Sequence, residues 1–347
     1  MQKEQLATKE SASQVLFIIA MLFVILAGIK AAGEIVVMIL LAAFFAVIIY
    51  PIVALLQKAK VPRVIAISGI VLLIIFVFLA IITMLASSLN DFIRAYPEYA
   101  QLLNEKLKQL ETLALKHDIH FSADEAMNLF DPSSFFSIAT GFLSKLSGTM
   151  SRVLLITMLC VFMLFEIRLI PIKLNQILQF PEQSMPHFQR AVNAVSKYLF
   201  IKTVVSIITG MLIWAFLSYM EIRFAFLWGV LAFALNFIPS IGSILAAIFP
   251  VIQTLLLGDF YDAFIVALGY LVVNIIMGNI IDTRLMGKGL GLSTLMVFAS
   301  LLFWGWLLGP IGMFLSVPLT IIIKIALENN HYGRKIAIMM GDGKSLT

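Results

Sequence analysis

"FALNFIPSIGSILAAIFP", Phe233 to Pro250, is apolar at both ends and interrupted in the middle. Asn236, Pro239, Ser240 and Gly242 fall close together there, and Pro250 follows in the second half. Proline removes a backbone donor, glycine loosens the chain, and Asn and Ser bring polar groups that need partners. A helix that only anchors a chain in lipid has no use for any of them. The stretch therefore reads as a broken apolar region, and the fold turns on what the break does.

Around it, composition sets the frame. Of 347 residues, 61% are hydrophobic and 12% charged, against about 45–50% and 25% in soluble domains. The apolar residues come in runs, so the fold class is an all-α polytopic membrane protein. With about 20 residues needed per crossing, single spans fall at 12–29, 35–56, 64–87, 150–168, 203–220 and 263–281. Two longer regions, 225–257 and 293–327, complete about eight membrane segments. Helices are expected throughout, because lipid offers nothing to an unpaired amide and barrel-strand alternation is absent. The first run ends in "LAGIKAAGE", faintly like a cleavage site, but more spans follow at once and it reads as an uncleaved span. The chain divides into N-terminal spans (1–89), an extracytoplasmic helical insert (90–148), a span with a cytoplasmic interfacial helix (149–202), a core with the two broken regions (203–327) and a tail (328–347).

Charge gives the orientation. With both termini cytoplasmic, most of the 24 Lys and Arg fall in inside segments. The net charge of +5 comes without a basic stripe carrying interleaved aromatics, so no nucleic-acid partner is expected. Cys160, the sole cysteine, allows neither an intrachain disulfide nor a thiolate metal cluster. In the insert, Phe92, Tyr96, Tyr99, Leu103 and Leu107 mark an amphipathic helix, "SADE" (Ser122 to Glu125) a capping box, and Asp131–Pro132 a break. This piece reads as a cap on the outer membrane surface, an oligomer contact or a gate. Residues 184–200 form a second amphipathic stretch, with Val192, Val195 and Leu199 opposite Arg190 and Lys197. It is expected to lie in the membrane interface and turn into the next span.

By this orientation 225–257 starts and finishes outside, and 293–327 inside. "NFIPSIG" divides the first and "GWLLGPIG" the second, with Pro318 further on. Halves of roughly 15–18 residues reach about 22–27 Å, short of the ~30 Å hydrocarbon layer. The regions are thus pairs of short tilted spans or re-entrant hairpins from opposite faces. Their tips, "PSIG" at 239–242 and "PIG" at 310–312, hint at a pseudo-symmetric pair. Such interruptions are a sequence pointer to a transport site, since freed backbone groups need protein or a watery cavity. The expected substrate path is Asn236, Pro239, Ser240, Gly242, Ser243 and Gln253, with Gly309, Pro310, Gly312 and Pro318.

An ionisable side chain in a membrane is a functional hypothesis by default. Asp282 closes the span that holds Asn274 and Asn279, and positions 275, 279 and 282 share a helical face. Asp282 is expected to couple a proton or cation to transport, with Arg284 tuning it; the bland alternative is an Asp282–Arg284 pair at the cytoplasmic interface. "GKGLG", with Gly287, Gly289 and Gly291, lacks the strand and Lys-Ser/Thr pair of a phosphate loop and reads as a hinge. Ser206 and Gly210 allow close helix packing, and Trp304 and Trp306 read as packing residues. H-E-x-x-H, G-x-S-x-G and Walker A patterns are absent, so neither an enzyme nor a cofactor is expected and any energy should come from an ion gradient.

"NFIPSIGSILAAIFPVI" (236–252) and "NIIDTRLMGKGLGLSTLMVFASLLFWGWLLGPIGMFLSVPL" (279–319) resemble the hallmark segments of the autoinducer-2 exporter family of bacterial inner-membrane permeases. The resemblance implies export of small polar molecules such as autoinducer-2, with sodium–proton exchange attached to some members. The expectation is a secondary transporter in the bacterial inner membrane, using H+ or Na+. Its rivals are a sodium–proton antiporter and a scaffold binding a partner through the outer insert. The exposed insert helix and the membrane architecture leave room for a homo-oligomer.

Overall fold

The structure, a computed structural model, describes residues 17, 20–116, 152–167, 169, 173, 185–239, 241–286, 291–328 and 333–341. α1 (Ala20–Ala31) and α2 (Gly33–Lys58) are separated only by Ala32. Backbone bonds from Ala32 to the Gly28 carbonyl (2.9 Å) and from Val36 to the Ala32 carbonyl (3.1 Å) carry the helix across, so no loop parts the first two segments. Lys60 (φ 65°) ends α2 in a left-handed turn, and α3 (Arg63–Leu115) then runs 53 residues, straight through the expected boundary between span and insert. The "SADE" box and the Asp131–Pro132 break lie outside the described residues. Arg63 donates to the carbonyls of Leu164 (2.6 Å) and Phe165 (3.0 Å), binding the start of α3 to the end of α4 (152–166). Ala46 and Ile49 of α2, Ile67 of α3 and Leu164 of α4 share one apolar core.

α5 (Met185–Tyr219) corrects one expectation. Its amphipathic half does not turn into the span but continues into it as a single 35-residue helix. Val195 and Leu199 bury against Phe44 of α2 and Leu315, Val317 and Ile321 further on, so protein covers the apolar face. α6 (Ala225–Leu235) and α7 (Gly242–Leu257) are 11 and 16 residues long, about 16 and 24 Å. Neither alone spans ~30 Å of hydrocarbon. Gly210 of α5 and Gly229 of α6 let these two helices touch: a Cβ on Gly229 would sit 2.9 Å from the Gly210 carbonyl.

α8 (Phe260–Asn274) widens into a π-helix over Ile275–Asp282 and closes with a turn at Thr283–Met286. α9 (Thr294–Glu328) is followed by the short α10 (Arg334–Met339). Among the described residues five helices, Gly33–Lys58, Arg63–Ala95, Val192–Tyr219, Phe260–Asp282 and Thr294–Glu328, are long and apolar enough to cross a membrane. Large apolar side chains such as Phe23, Leu72, Phe76, Phe264 and Leu302 face outward, as lipid rather than water requires. The chain is an all-helical polytopic membrane protein.

Candidate functional site

Both broken regions fold back at the expected tips. In the first, α6 ends at Leu235 and α7 begins at Gly242. A Cβ on Gly242 would lie 1.8 Å from the Leu235 carbonyl, so only a bare Cα lets the arms meet. Pro239 sits in the turn, where its carbonyl accepts from Ile241 N–H at 2.7 Å. Ser240 lies outside the described residues.

In the second, α9 breaks at Gly309, whose φ of 70° and ψ of −155° are non-helical. A Cβ on Gly312 would lie 1.9 Å from the Trp304 carbonyl. Residues eight apart in a straight helix stand about 12 Å from one another along the axis. The arms therefore double back, Pro310 opening the second. Trp304 Nε1 donates to Thr320 Oγ1 across them (3.1 Å), and Pro318 is buried in the second arm. In each tip the glycine that ends the motif, Pro–Ser–Ile–Gly in the first and Pro–Ile–Gly in the second, takes the close contact, so the two short motifs do the same mechanical job.

The tips meet. Phe237, in the first turn, and Phe314, just past the second, bring their rings to 4.4 Å; Phe44 of α2 closes the cluster at 5.0 Å from Phe314 and 6.3 Å from Phe237. The contact is apolar. Two residues of the expected solute path have protein partners. Asn236 is buried and donates from Nδ2 to Ser206 Oγ (2.9 Å). Gln253 accepts from Trp228 Nε1 (2.7 Å) and donates to the Arg223 carbonyl (3.1 Å). Both are clamps, holding α5 to the first tip and α6 to α7.

Ser243 and Asn274 come together across α7 and α8, lining a cavity of about 430 Å³ with Tyr270. The Tyr270 hydroxyl is buried with no hydrogen-bond partner among the described residues. One turn further along α8 the π-helix begins. Asp282, at its end, pairs with Lys202 of α5 at 3.0 Å, with the two side chains only 13% and 9% exposed. Arg284 is exposed, so the interfacial Asp282–Arg284 pair gives way to a buried one. The shared face of Asn279 and Asp282 assumed α-helical spacing; the wider π turn swings residues three apart further around the axis. The Asn279 side chain lies outside the described residues.

Gly287 and Gly289 are also outside them. Gly291 takes a left-handed φ of 65°, and its carbonyl accepts from Lys324 Nζ at 2.5 Å. Lys202 and Tyr270 were missed from the sequence, though each left a trace. Lys202 is the last charge before an apolar run, and Tyr270 the one hydroxyl in "ALGYLVV".

Two broken helical regions meeting tip to tip inside a multi-pass apolar body give the architecture of a membrane transport protein. The chain belongs to the AI-2E family of transporters, whose pattern it matches over residues 17–331. It is 46% identical over 329 residues to the AI-2 transport protein TqsA of Escherichia coli (strain K12), covering 95% of this chain and 96% of that one. It is 42% identical over 330 residues to the putative transport protein YhhT of the same strain, covering 95% of each. A putative transport protein of Haemophilus influenzae is 39% identical over 330 residues, 93% of this chain and 95% of its own.

Proposed function

We propose that the protein exports small polar molecules of the autoinducer-2 kind across the bacterial inner membrane, driven by an ion gradient. The observation that carries this is the Phe237–Phe314 contact between the two tips. Two hairpins that meet at an aromatic seal form a barrier that a small relative movement opens. On this reading both regions are re-entrant, from opposite faces, with the termini cytoplasmic. The solute path runs past the seal and takes in Ser243, Tyr270 and Asn274, which line the cavity between α7 and α8. The relative that carries AI-2 in its name supports the class of solute.

Uptake of autoinducer-2 by inverted membrane vesicles, with and without an imposed proton gradient, tests the proposal. Inversion turns cellular export into accumulation, so gradient-dependent uptake is expected. A second reading, sodium–proton exchange, draws on the buried Asp282–Lys202 pair. It predicts a pH change on adding sodium to the same vesicles without autoinducer-2 uptake.

A further inference from the structure

The Lys202–Asp282 pair bridges α5 and the π segment of α8. Ion pairs so deeply buried give weak net stabilisation, because desolvation of both charges offsets their attraction. Within a membrane they mark function more often than architecture. This one is also incomplete. Asp282 Oδ2 accepts from Lys202 Nζ, but Oδ1 is buried with no hydrogen-bond partner among the described residues. An ionised carboxylate offers about four lone-pair sites, and a buried acceptor left without a hydrogen bond is costly. Among the described residues Oδ1 is therefore a buried acceptor with lone pairs to spare.

The charges nearby bear on the occupant, since a metal cation at Asp282 would sit beside the Lys202 ammonium. A hard metal cation needs several oxygens around it. Among the described residues no cluster of three or more His, Cys, Asp or Glu could hold one. From α5, the helix packed against this segment, the groups facing Asp282 are Lys202 and the buried Tyr198, within reach of its charge. On Asp282's own element Arg284 is exposed. A proton needs one lone pair and nothing else.

We propose that Asp282 Oδ1 is the seat of the coupling proton and that Lys202 is the internal cation it displaces. This rests on the gradient-driven reading above and names its ion. The proton arrives from water and forms an O–H bond at Oδ1. The carboxyl becomes neutral, the charge attraction to Lys202 is lost, and the ammonium turns to other oxygen acceptors, those of a polar solute included. α5 and the π segment are then free to shift against each other. When the proton leaves, the carboxylate takes Lys202 back. No electrons move, and the lysine keeps its proton throughout.

Infrared difference spectroscopy of the full chain in lipid, titrated with acid, tests this without any solute. A protonated-carboxyl band that shifts in D2O and is missing in Asp282→Asn is expected. Lys202→Gln should form that band at a proton concentration at least about tenfold lower, since a neighbouring opposite charge is worth that much or more. Lys202→Arg keeps the charge and should titrate close to the parent. It also serves if the Gln variant does not fold. Sodium at fixed pH should leave the band unchanged in the parent protein. The proposal is overturned if the band survives in Asp282→Asn, if neutralising Lys202 leaves its midpoint in place, or if sodium abolishes it. Failure of vesicles to take up autoinducer-2 would count against the solute and leave this titration standing.

Discussion

Gly305, Gly309 and Gly312 lie within one short stretch of α9 yet carry different constraints, and their alanine variants should separate them. At Gly305 an added methyl meets the flexible end of Met313, 2.7 Å away, which can turn aside. At Gly309 there is space, but φ 70° with ψ −155° is a glycine-only conformation, so alanine costs about 1–3 kcal/mol. At Gly312 the methyl meets a backbone carbonyl at 1.9 Å. Thermal unfolding in detergent should rank Gly305→Ala mildest and Gly312→Ala worst; equal loss for all three would mean that the arms do not double back. The Asn236–Ser206 bond gives a second measure, because both side chains are buried. Removing either partner leaves the other unsatisfied, at about 1–3 kcal/mol. In a double-mutant cycle the loss from the paired alanine variant should be well short of the sum of the two single losses.

Helices bound to one another by single side chains extend this to larger pieces. Lys106, on the C-terminal part of α3, donates to the carbonyls of Leu255 (2.5 Å) and Gly258 (2.9 Å), capping the end of α7. A cation there complements the helix dipole by about 0.3–1 kcal/mol. Lys106→Met should lower the melting temperature slightly and raise hydrogen exchange at the end of α7 more than elsewhere. Uniform exchange would break the link between insert and hairpin. The two hairpins were legible in the sequence because Pro and Gly act locally, and their motifs fall where the chain reverses. The long continuity of α3 and α5 was not legible, since an amphipathic run followed by an apolar run reads as two elements. The π-helix left no sign either: "NIIMGNIID" reads with ordinary α-helical spacing, and the segment that widens is one that packs against α5. Asn236 and Gln253 were found as polar groups in apolar helices, but composition could not say whether solute or Ser206 and Trp228 would satisfy them.

How the hairpins act together depends on the three-ring contact of Phe44, Phe237 and Phe314. Each aromatic pair is worth about 0.5–1.5 kcal/mol beyond its buried area, so on the proposed reading the contact between the tips favours a closed state by a small, adjustable amount. Phe314 touches both other rings, which makes it the most informative side chain to change. Phe314→Ala should shift the balance toward open by about 1.4 kcal/mol or more, a tenfold rise in passive efflux of autoinducer-2 from proteoliposomes without a gradient. Phe314→Tyr, which keeps the ring, should leak little more than the parent. Phe237→Ala, losing its contacts with both Phe44 and Phe314, should fall between them. Cavity formation in a core also destabilises by about 3–5 kcal/mol, so melting temperature must be followed beside the leak. A variant that melts early and leaks has simply loosened. One that leaks while its helices stay folded has lost a barrier. Unchanged leak in a folded Phe314→Ala protein would make the three rings ordinary packing and move the solute path to the cavity bounded by Ser243, Tyr270 and Asn274.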